Sequence, residues 1–426
     1  MRFGTRGSLA NCFFILNALL FSVLLPAAPA AFSLEKEEYA QRRARLMEKM
    51  GHGVCVLFGA METRDGEAYQ DEQFYYLSGV ETPSAILVLR GKWEVLYLPP
   101  FEQRYGVWDD VQLSPGDSAV AITGIKETRS REKFAQDARW FGSADTLWVN
   151  LGRPAGLEEA PSRVLFEINK IRERFPGLHI ENISPFIEEL RAIKSLAEIA
   201  LLRESCRIAG EGVMEGIRSA EPGMYEYQVE AVVEFVFKRE GSMWPAFYTI
   251  VGSGLNSVIL HHNTNQRKMQ SGDLVVLDAG AEYQHYGSDI TRTFPVSGKF
   301  TKRQREIYEI VLNAQKTTIA AIKPGLKFEE IDKIAKAFIK EAGHGKYFIH
   351  GTSHFLSGGG KVDSLQPGMC LTVEPGIYIP EENLGVRIED DVLVIANGCE
   401  VLTQFVPKEP EEIEKLVAEK GILQKK

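Results

Sequence analysis

The sequence predicts an α/β domain in the N-terminal half of the chain, followed by a duplicated α+β domain. Short apolar runs separated by turn residues fill the first half, which is the pattern of strands in an α/β domain. In the second half, two segments share one order of elements, in which a helix bounded by glycines precedes a β-prone stretch. At 426 residues, 44% of them hydrophobic, the chain is long enough for two or three domains with substantial cores.

The first thirty residues are typical of a secretory signal peptide. A basic start with Arg2 and Arg6 precedes a mostly apolar run at residues 13–25. Small residues follow at Ala28-Pro-Ala30, and the run is short for a membrane span. We therefore expect residues 1–30 to be removed and the mature protein to be exported, to the periplasm or outside the cell, with no stable membrane span. A retained membrane anchor is the less favoured alternative.

The chain is acidic, with a formal net charge of −9 at pH 7. Loss of the signal peptide would remove two arginines and no acids, making the mature protein more acidic still. No cluster of lysine and arginine stands out against this background, so nucleic acid is disfavoured as a partner.

Four cysteines remain after residue 30, and none belongs to a Cys-x-x-Cys pair. Their spacing indicates no metal site. A disulfide between Cys370 and Cys399 is the one pairing to consider in an exported protein, but buried free thiols are the favoured interpretation. The four residues are Cys55, Cys206, Cys370 and Cys399.

Residues 35–190 contain the elements of the predicted N-terminal domain. Helices are predicted at residues 35–50 and 162–175, the second from apolar residues at helical spacing. This half contains no cluster of catalytic residue types, so we expect it to serve packing or oligomerisation, and the protein to be a homo-oligomer. Strands are predicted at the apolar runs 54–58, 74–77, 85–89, 95–98 and 147–149.

A domain boundary is predicted between residues 190 and 195. Ser195-Leu-Ala-Glu198 has the pattern of a capping box, in which each side chain bonds the other residue's backbone N–H group. It opens a long predicted helix. The second domain is predicted to span residues 195–407, which leaves 408–426 as a C-terminal tail with an exposed amphipathic helix.

The second domain contains a faint internal repeat. Pro222-Gly223 begins a predicted helix that ends at Gly241, and Pro324-Gly325 begins another that ends at Gly343. Both intervals from the first to the last glycine are 18 residues, and the apolar positions of the two helices match. A chance match would explain the spacing, but the shared order of elements favours duplication, with two similar halves around a pseudo-twofold axis.

Two aspartates flank a predicted hairpin in the first of these halves. The apolar run at residues 274–277 has the pattern of a buried strand and ends in Asp278, and Asp289 opens the next strand after a turn. The hairpin would place both acids on adjacent strands. A single aspartate is more often a turn cap, but an acid at the end of a buried run is expensive to leave without a partner.

Two glutamates repeat this arrangement near the C-terminal end. A predicted strand at 370–373 ends in Glu374, residues 375–384 form the predicted connection, and the return strand carries Glu389. Two charged acids on facing strands repel each other unless positive charge lies between them. Arg387 offers a structural alternative, a salt bridge that neutralises the glutamates, although it explains the aspartate pair less well.

His354, in Gly351-Thr-Ser-His354, completes a candidate set of metal ligands. A lone histidine is more often structural than a ligand, but four accompanying acids reverse that preference. The set is rich in oxygen and contains no thiolate, which suits Mn²⁺, Zn²⁺ or Co²⁺. We therefore predict a hydrolytic site for two divalent metal ions, with Mn²⁺ favoured. Its ligands are Asp278, Asp289, His354, Glu374 and Glu389.

These segments resemble, closely and in order, the metal-binding segments of the pita-bread metallopeptidases, the family of methionine aminopeptidase, prolidase and aminopeptidase P. The resemblance covers about residues 36 to 405, and the first half is similar to the extra domain of aminopeptidase P and prolidase. It implies a curved antiparallel sheet with the metals on its concave face. The matching segments are Leu-Asp278-Ala-Gly, Ser-Asp289-Ile-Thr-Arg-Thr-Phe-Pro, His350-Gly-Thr-Ser-His354, Thr-Val-Glu374-Pro-Gly-Ile-Tyr and Gly-Val-Arg387-Ile-Glu389-Asp-Asp.

The resemblance implies a dinuclear-metal aminopeptidase that hydrolyses the peptide bond between an N-terminal residue and a following proline, with proline-containing peptides or dipeptides as partners. Glu374 would hold or deprotonate the attacking water, and His261 would help to stabilise the tetrahedral oxyanion. His350 would line the pocket near the substrate, and Arg387 would orient the acids. The remaining histidines considered are predicted to be surface or structural: His262, His285 and His344.

The loop after His354 departs from the family pattern, which is usually Gly-x-Asp-x-His-Asp with a histidine that contacts substrate. Here the run is Ser357-Gly-Gly-Gly-Lys361-Val-Asp363, and the segment from His354 to Glu374 is several residues shorter. Lys361 stands where the missing histidine would be and is a candidate proton donor. We expect metal binding to survive this change.

Two alternatives to the aminopeptidase remain open. A prolidase restricted to Xaa-Pro dipeptides would share the site and differ in what closes the far end of the cleft. A metal-loaded, catalytically weak protein that binds proline-containing peptides would follow if the altered loop disables the site.

Overall fold

The computed structural model describes residues 34–60, 70–100, 112–152, 163–359 and 362–424. The predicted signal peptide, residues 1–30, and Lys361 lie outside the described residues. Within the described ranges, no helix combines the length and the apolar character needed to cross a membrane.

A mixed sheet forms the centre of the first half. In the described part of this half, its strands are β1 (Val54–Phe58), β2 (Ile86–Arg90), β3 (Trp93–Leu98), β4 (Thr128–Ser130), β5 (Thr146–Val149) and β6 (His179–Asn182). Their order is β4-β3-β2-β1-β5-β6, with β1–β2 and β2–β3 antiparallel and the other pairs parallel. All but one of the predicted strands of this half are therefore confirmed.

Helices pack on both faces of this sheet, as expected of an α/β domain. Alternate residues of β1 point to opposite faces, so that Cys55 packs with Leu46 and Ile187 while Val54 packs with Ile168. Both predicted helices form, with ends within one residue of prediction. The helices are α1 (Lys36–Met50), α2 (Glu72–Ser78), α3 (Asp117–Thr123), α4 (Phe134–Asp137), α5 (Arg163–Arg174) and α6 (Ser184–Ala192).

The strand predicted at residues 74–77 is wrong, because this segment lies in α2. Asp71 caps the helix by accepting a hydrogen bond from Phe74 N at 2.8 Å. Gly79 ends it with a φ of 66°, a left-handed conformation that favours glycine. A four-residue apolar run carries too little periodicity to distinguish a helix from a strand, so the capping residues decide.

The second half combines helices with small antiparallel sheets. Its helices are α7 (Leu196–Ser219), α8 (Glu226–Arg239), α9 (Lys302–Ala321), α10 (Phe328–Glu341) and α11 (Pro410–Val417). Its strands are β7 (Trp244–Pro245), β8 (Ile250–Ser253), β9 (Leu274–Ala279), β10 (Ala281–Tyr283), β11 (Tyr286–Gly287), β12 (Ile290–Pro295), β13 (Cys370–Val373), β14 (Gly376–Ile379), β15 (Leu384–Arg387), β16 (Asp390–Ile395) and β17 (Gly398–Val401). The strand orders are β12-β9-β8, β11-β10-β7, β13-β16-β17 and β14-β15.

The capping box that opens α7 is confirmed. Ser195 Oγ accepts from Glu198 N at 3.3 Å, and Glu198 Oε2 accepts from Ser195 N at 2.9 Å. The boundary predicted between residues 190 and 195 falls between the end of α6 and the start of α7, while the division into two domains stays a prediction. The C-terminal helix α11 is shorter than predicted, and its Ile413 and Leu416 are buried in the core, so this side is not exposed.

The two helices of the predicted repeat both form. α8 and α10 are each 14 residues long. Gly241 and Gly343, which follow them, adopt φ values of 98° and 85°. The duplication itself stays a prediction.

The connection predicted at residues 375–384 is wrong in one respect, because it contains a strand. β14 pairs antiparallel with β15, with Gly376 opposite Arg387. All four residues of β14 are buried, and pairing with β15 gives its backbone groups hydrogen-bond partners away from water. The glutamates therefore lie on either side of an additional hairpin.

The largest core cluster lies between α7, α8 and α9 on one side and β9, β12 and β15 on the other. It includes Val213, Val233, Leu277, Phe294 and Val311. All four described cysteines are free, as predicted, and three of them are buried as expected, whereas Cys399 is half-buried.

Arg292, in β12, is buried and bonds to two segments that are far from it in the chain. Its Nη2 donates to Asp390 Oδ1 at 2.7 Å, and its Nε donates to Pro407 O at 2.8 Å. Burial opposes ionisation of Asp390, but the charges of Arg292 and Lys408 outweigh it and hold its pKa below the ordinary value.

Replacing Arg292 by leucine is expected to lower the free energy of unfolding by about 3–5 kcal/mol, because it breaks a buried ion pair and leaves buried acceptors unpaired. Arg303→Leu, which breaks the exposed pair with Glu382, should cost at most about 1 kcal/mol. Urea-induced unfolding of the metal-free proteins measures both. Equal losses in the two variants would contradict the prediction.

Candidate functional site

A cavity of about 570 Å³ brings together the predicted metal ligands and the predicted histidines and arginine of the site, while the candidate donor Lys361 lies outside the described residues. Those residues are His261, Asp278, Asp289, His350, His354, Glu374, Arg387 and Glu389. Phe247, Tyr248, Ile250 and Leu260 add an apolar wall. A concave site with a few convergent polar groups and apolar walls is typical of a small-molecule or peptide site.

The four acids lie at the ends of paired strands. Asp278 is in β9, opposite Thr291 of β12, and Asp289 immediately precedes β12. Glu374 follows β13, and Glu389 precedes its partner strand β16. Each pair of acids is therefore carried by adjacent strands, as predicted.

Thr291 joins the two pairs. Its carbonyl accepts from Glu389 N at 3.1 Å, and its Oγ1 donates to Glu389 Oε2 at 2.7 Å. Thr293, on the same strand, exchanges hydrogen bonds with the backbone of Arg387. These contacts place Glu389 beside the aspartates.

The acids and His354 have the arrangement of a metal site. Asp289, His354 and Glu389 offer ligand atoms that all lie within 4.8 Å of one another. His354 Nε2 is 3.3 Å from Asp289 Oδ2 and 3.4 Å from Glu374 Oε1. One oxygen each of Asp278 and Asp289 is buried with no hydrogen-bond partner among the described residues. Because such oxygens are costly to leave unpaired, the geometry suits a cation between them.

Repulsion between the acids is reflected in the raised pKa values of Asp289 and Glu389. Burial raises the pKa of Asp289 well above its ordinary value, and the charges of Glu389 and Asp278 raise it further. Burial likewise raises the pKa of Glu389, with Glu374 and Asp278 adding to the effect. Burial alone would lower the pKa of His354, but the adjacent Asp289 carboxylate outweighs it and raises that pKa to about 9. A multivalent cation would relieve this repulsion and keep the acids ionised.

Arg387 neutralises one acid. Its Nη2 donates to Asp278 Oδ2 at 2.6 Å, and its Nη1 donates to Tyr378 Oη at 3.0 Å. Among the described residues, its ion pair is with Asp278 and not with Glu374 or Glu389. The predicted salt bridge to the glutamates is therefore wrong. Burial raises the pKa of both glutamates, but the charge of Arg387 lowers it in part and so partly offsets their repulsion.

Both ring nitrogens of His350 are engaged. Nδ1 lies 2.7 Å from Gly351 O, which can only accept, so Nδ1 carries the proton. Nε2 then accepts from Tyr378 Oη at 2.9 Å. Burial, with the Arg387 charge adding to it, lowers the pKa of His350 to about 4, so the ring is neutral near pH 7.

Tyr378 and Asp391 are site residues that the sequence predictions missed. Tyr378 stands four residues after Glu374, and Asp391 two residues after Glu389. Asp391 Oδ2 accepts from Asp289 N at 2.9 Å, which fixes the backbone there. Alternate residues of an extended chain share a face, and this spacing is the signal that could have found both.

Three histidines lie away from the cavity. His262 is buried, with Nε2 3.1 Å from Glu226 Oε2. His344 Nδ1 lies 2.8 Å from Ala342 O, at the end of α10. His285 occupies the turn between β10 and β11. His261, in contrast, lines the cavity and is exposed.

Two cations from the end of the first half hold the segment that follows His354, residues 355–359. Lys194 Nζ donates to two of its backbone carbonyls, at 2.8 and 2.9 Å, and Arg191 Nε donates to a third at 3.2 Å. Lys361 lies just outside the described residues, so its proposed role as a donor stays a prediction.

Comparisons with known proteins agree with this geometry. Residues 200–396 match the model of metallopeptidase family M24, and residues 39–148 match that of the aminopeptidase P N-terminal domain. The Xaa-Pro aminopeptidase of Escherichia coli (strain K12) is 34% identical over 434 residues, covering 90% of this chain and 98% of the relative. The Xaa-Pro dipeptidase of Pyrococcus furiosus is 36% identical over 342 residues, covering 78% and 90%.

The solved structure of E. coli aminopeptidase P with the inhibitor Pro-Leu has a TM-score of 0.80 and 32% identity, covering 90% of this chain and 98% of that one. The expected pita-bread fold with an additional N-terminal α/β region is thus confirmed. The family M24 match contains all the predicted site residues. The chain therefore belongs to metallopeptidase family M24, in the branch that carries an aminopeptidase P N-terminal domain.

Proposed function

We propose that the protein is a divalent-metal-dependent Xaa-Pro aminopeptidase, which hydrolyses the bond between an N-terminal residue and the proline that follows. The observation that carries this proposal is the convergence of two aspartates, two glutamates and three histidines on one cavity. Similarity to a Xaa-Pro aminopeptidase over 98% of that relative's length supports the choice of reaction.

The cavity suits two divalent ions, and we propose Mn²⁺, with Zn²⁺ or Co²⁺ as alternatives. Carboxylates with a single imidazole form a donor set that such ions accept, and the unpaired buried oxygens of Asp278 and Asp289 fit it. When bound, the ions would polarise the scissile carbonyl and supply a hydroxide at neutral pH. Their ligands would be Asp278, Asp289, His354, Glu374 and Glu389.

Glu374 is the residue that we assign to proton transfer. Its side chain lies at the cavity wall, where Oε1 accepts from Thr372 Oγ1 at 3.3 Å. Burial is the main cause of its raised pKa, which His354 and Arg387 moderate. A carboxylate with a raised pKa can take a proton from the attacking water and return it to the nitrogen of the leaving proline.

The two other histidines of the cavity have different roles. His261 is exposed in the cavity and is assigned to donate a hydrogen bond to the scissile oxygen as negative charge develops there. The hydrogen bonds of His350 to Gly351 and Tyr378 leave no ring N–H for the substrate. Its neutral ring therefore offers an apolar contact, which suits a proline ring.

A prolidase is the second candidate, because the P. furiosus dipeptidase aligns with 78% of this chain. The aminopeptidase aligns with 90% of it, which favours the aminopeptidase. The third candidate, a metal-loaded but weakly catalytic binder, rests on the altered loop after His354.

We also propose that the mature protein is exported and forms a homo-oligomer. The basic start and apolar run within residues 1–30 support export. Exposed aromatic rings on and after α8 support an oligomer, since exposed apolar groups favour a covering partner. These rings are Tyr227, Phe235 and Tyr248, which are 47%, 54% and 80% exposed.

Mn²⁺-loaded protein without residues 1–30 is expected to release the N-terminal residue from a Xaa-Pro-Pro tripeptide, and to cleave a Xaa-Pro dipeptide less well. Glu374→Gln should lower kcat by about 10²–10⁴-fold, because it removes the proton acceptor. Glu381→Gln, an exposed glutamate nearby in the chain, is the matched control and should be unaffected. A preference for the dipeptide would select the prolidase, and no cleavage despite bound Mn²⁺ would select the weak binder.

Metal removal is expected to destabilise the protein more at high pH. The folded pKa values of Asp289 and Glu389 are raised, so the folded metal-free protein binds more protons than the unfolded chain. Stability from these groups is fully present below their unfolded pKa values, about 4, and is lost as pH rises through the raised values.

Glu389→Gln removes one of the repelling charges. The melting temperature of the metal-free variant should therefore exceed that of the metal-free parent by an amount that grows as the pH rises above about 4, the unfolded pKa of these acids. Added Mn²⁺ should stabilise the parent and have little effect on the variant. A difference that is independent of pH would contradict repulsion as its cause.

Lys361→His is expected to raise kcat with little change in KM, because a positioned proton-transfer histidine contributes about 10²–10⁴-fold. Steady-state kinetics on the tripeptide, with Lys361→Gln beside it, measure the effect. No gain from histidine, together with a loss in the glutamine variant, would show that Lys361 already serves as the donor.

A further inference from the structure

The hairpin of β10 and β11 joins the strand that contains Asp278 to Asp289, and its tip has an unusual backbone. Gln284 and His285 form the turn, with φ values of 50° and 66°. Two successive left-handed residues are typical of a type I′ turn, which favours asparagine and glycine. Residues other than glycine are uncommon in this conformation, and although histidine tolerates it better than most, its cost needs compensation from the surroundings.

That compensation comes from the first half of the chain. The His285 ring stacks on Tyr75, with ring centroids 3.6 Å apart and an interplanar angle of 25°. Its Nδ1 lies 3.5 Å from Glu72 Oε1, and its Nε2 lies 3.5 Å from Glu81 Oε1. Although burial lowers the pKa of His285, the two carboxylates raise it to about 9, so the ring is cationic at neutral pH.

The next residue adds a second contact with the first half. Tyr286 Oη donates to Glu198 Oε1 at 2.9 Å and accepts from Arg42 Nη2 at 3.2 Å. Arg42 is fully buried, with its guanidinium 4.1 Å from the centre of the Tyr76 ring. The hairpin tip is thus held against α1 and α2.

A continuous series of contacts links this tip to the segment after His354 and returns to the tip. It is here named the clamp ring, and its members are His285, Glu72, Arg191, Ser357 and Gly287. It begins where His285 meets Glu72, whose Oε2 accepts from Arg191 Nη2 at 3.0 Å. Arg191 Nε donates to Ser357 O at 3.2 Å, and Ser357 Oγ accepts from Gly287 N at 3.1 Å. Gly287 lies two residues after His285, which closes the ring.

Two predicted metal ligands extend directly from the clamp ring. Asp289 follows Gly287 by two residues, and His354 precedes Ser357 by three. Their facing atoms, His354 Nε2 and Asp289 Oδ2, are 3.3 Å apart. Because the intervening chain is short, a shift of the hairpin against residues 355–359 would move these two ligands relative to each other.

We propose that His285 is a positioning residue, which clamps the hairpin tip onto α2 and so fixes the spacing of Asp289 and His354 and the affinity of the site for divalent metal. The inference rests on the proposed function only in treating these two residues as ligands. The described residues of the first half contribute nothing to the cavity lining. They act on the site through the hairpin.

His285→Gly is the direct test, because glycine keeps the left-handed turn and removes the stacking and both ion pairs. Binding of Mn²⁺, titrated alone, should weaken by about 10–100-fold, the range for residues that orient metal ligands. Hydrogen exchange should rise in residues 281–288, and kcat should fall while KM stays within about twofold. A merely structural role would lower the melting temperature and leave Mn²⁺ affinity unchanged.

Gln284→Gly is the matched control, since it relaxes the same turn and leaves the clamp ring intact. It should bind Mn²⁺ as the parent does. Tyr75→Leu, which removes the stacking from the opposite side, should weaken binding, whereas Tyr75→Phe should not. Parental affinity in His285→Gly, or an equal loss in Gln284→Gly, would overturn the proposal. If the parent cleaves no Xaa-Pro peptide, the proposed function fails, while the Mn²⁺ titrations still decide the role of His285.

Discussion

Four carboxylates share one cavity, and their mutual repulsion is the constraint around which the surrounding structure is arranged. Each acid lies in or beside a strand that a partner strand holds in register, so that none can move away without breaking a sheet. Arg387 compensates Asp278, yet the pKa values of Asp289 and Glu389 stay raised. The metal-free fold therefore retains electrostatic repulsion between these acids. Relief of this repulsion contributes to the affinity of the site for a divalent ion.

Features that depend on residues close together in the chain could be predicted from the sequence. The capping box at Ser195 and Glu198 forms because its partners are three residues apart. The acid at the end of the run 274–277 indicates a site, since an unpaired buried carboxylate is costly, and Asp278 does line the cavity. The matched order of five segments then predicts the fold and the acids and histidines that the cavity brings together, apart from His261, whereas the apolar wall has no such signal.

Two kinds of feature could not be predicted in this way: short apolar runs whose composition suits a helix or a strand, and contacts between residues far apart in the chain. The apolar run 74–77 is a helix because Asp71 and Gly79 bound it, whereas its composition suits a strand equally well. The hydrogen bond between Tyr378 and His350 joins residues 28 positions apart in the chain, and nothing in the sequence pairs them. Arg387 was expected to offset the glutamates, but the register of the strands brings it to Asp278 instead.

The clamp ring also limits how the chain could recombine with its relatives. A first half taken from another family member would bring a similar sheet and helices, but His285 requires an aromatic ring and two acids at the places of Tyr75, Glu72 and Glu81. A graft that lacked them would leave a strained cationic turn against an unmatched surface. Similar folds alone are therefore not enough for an exchange of the two halves. The new first half must also match the turn at His285.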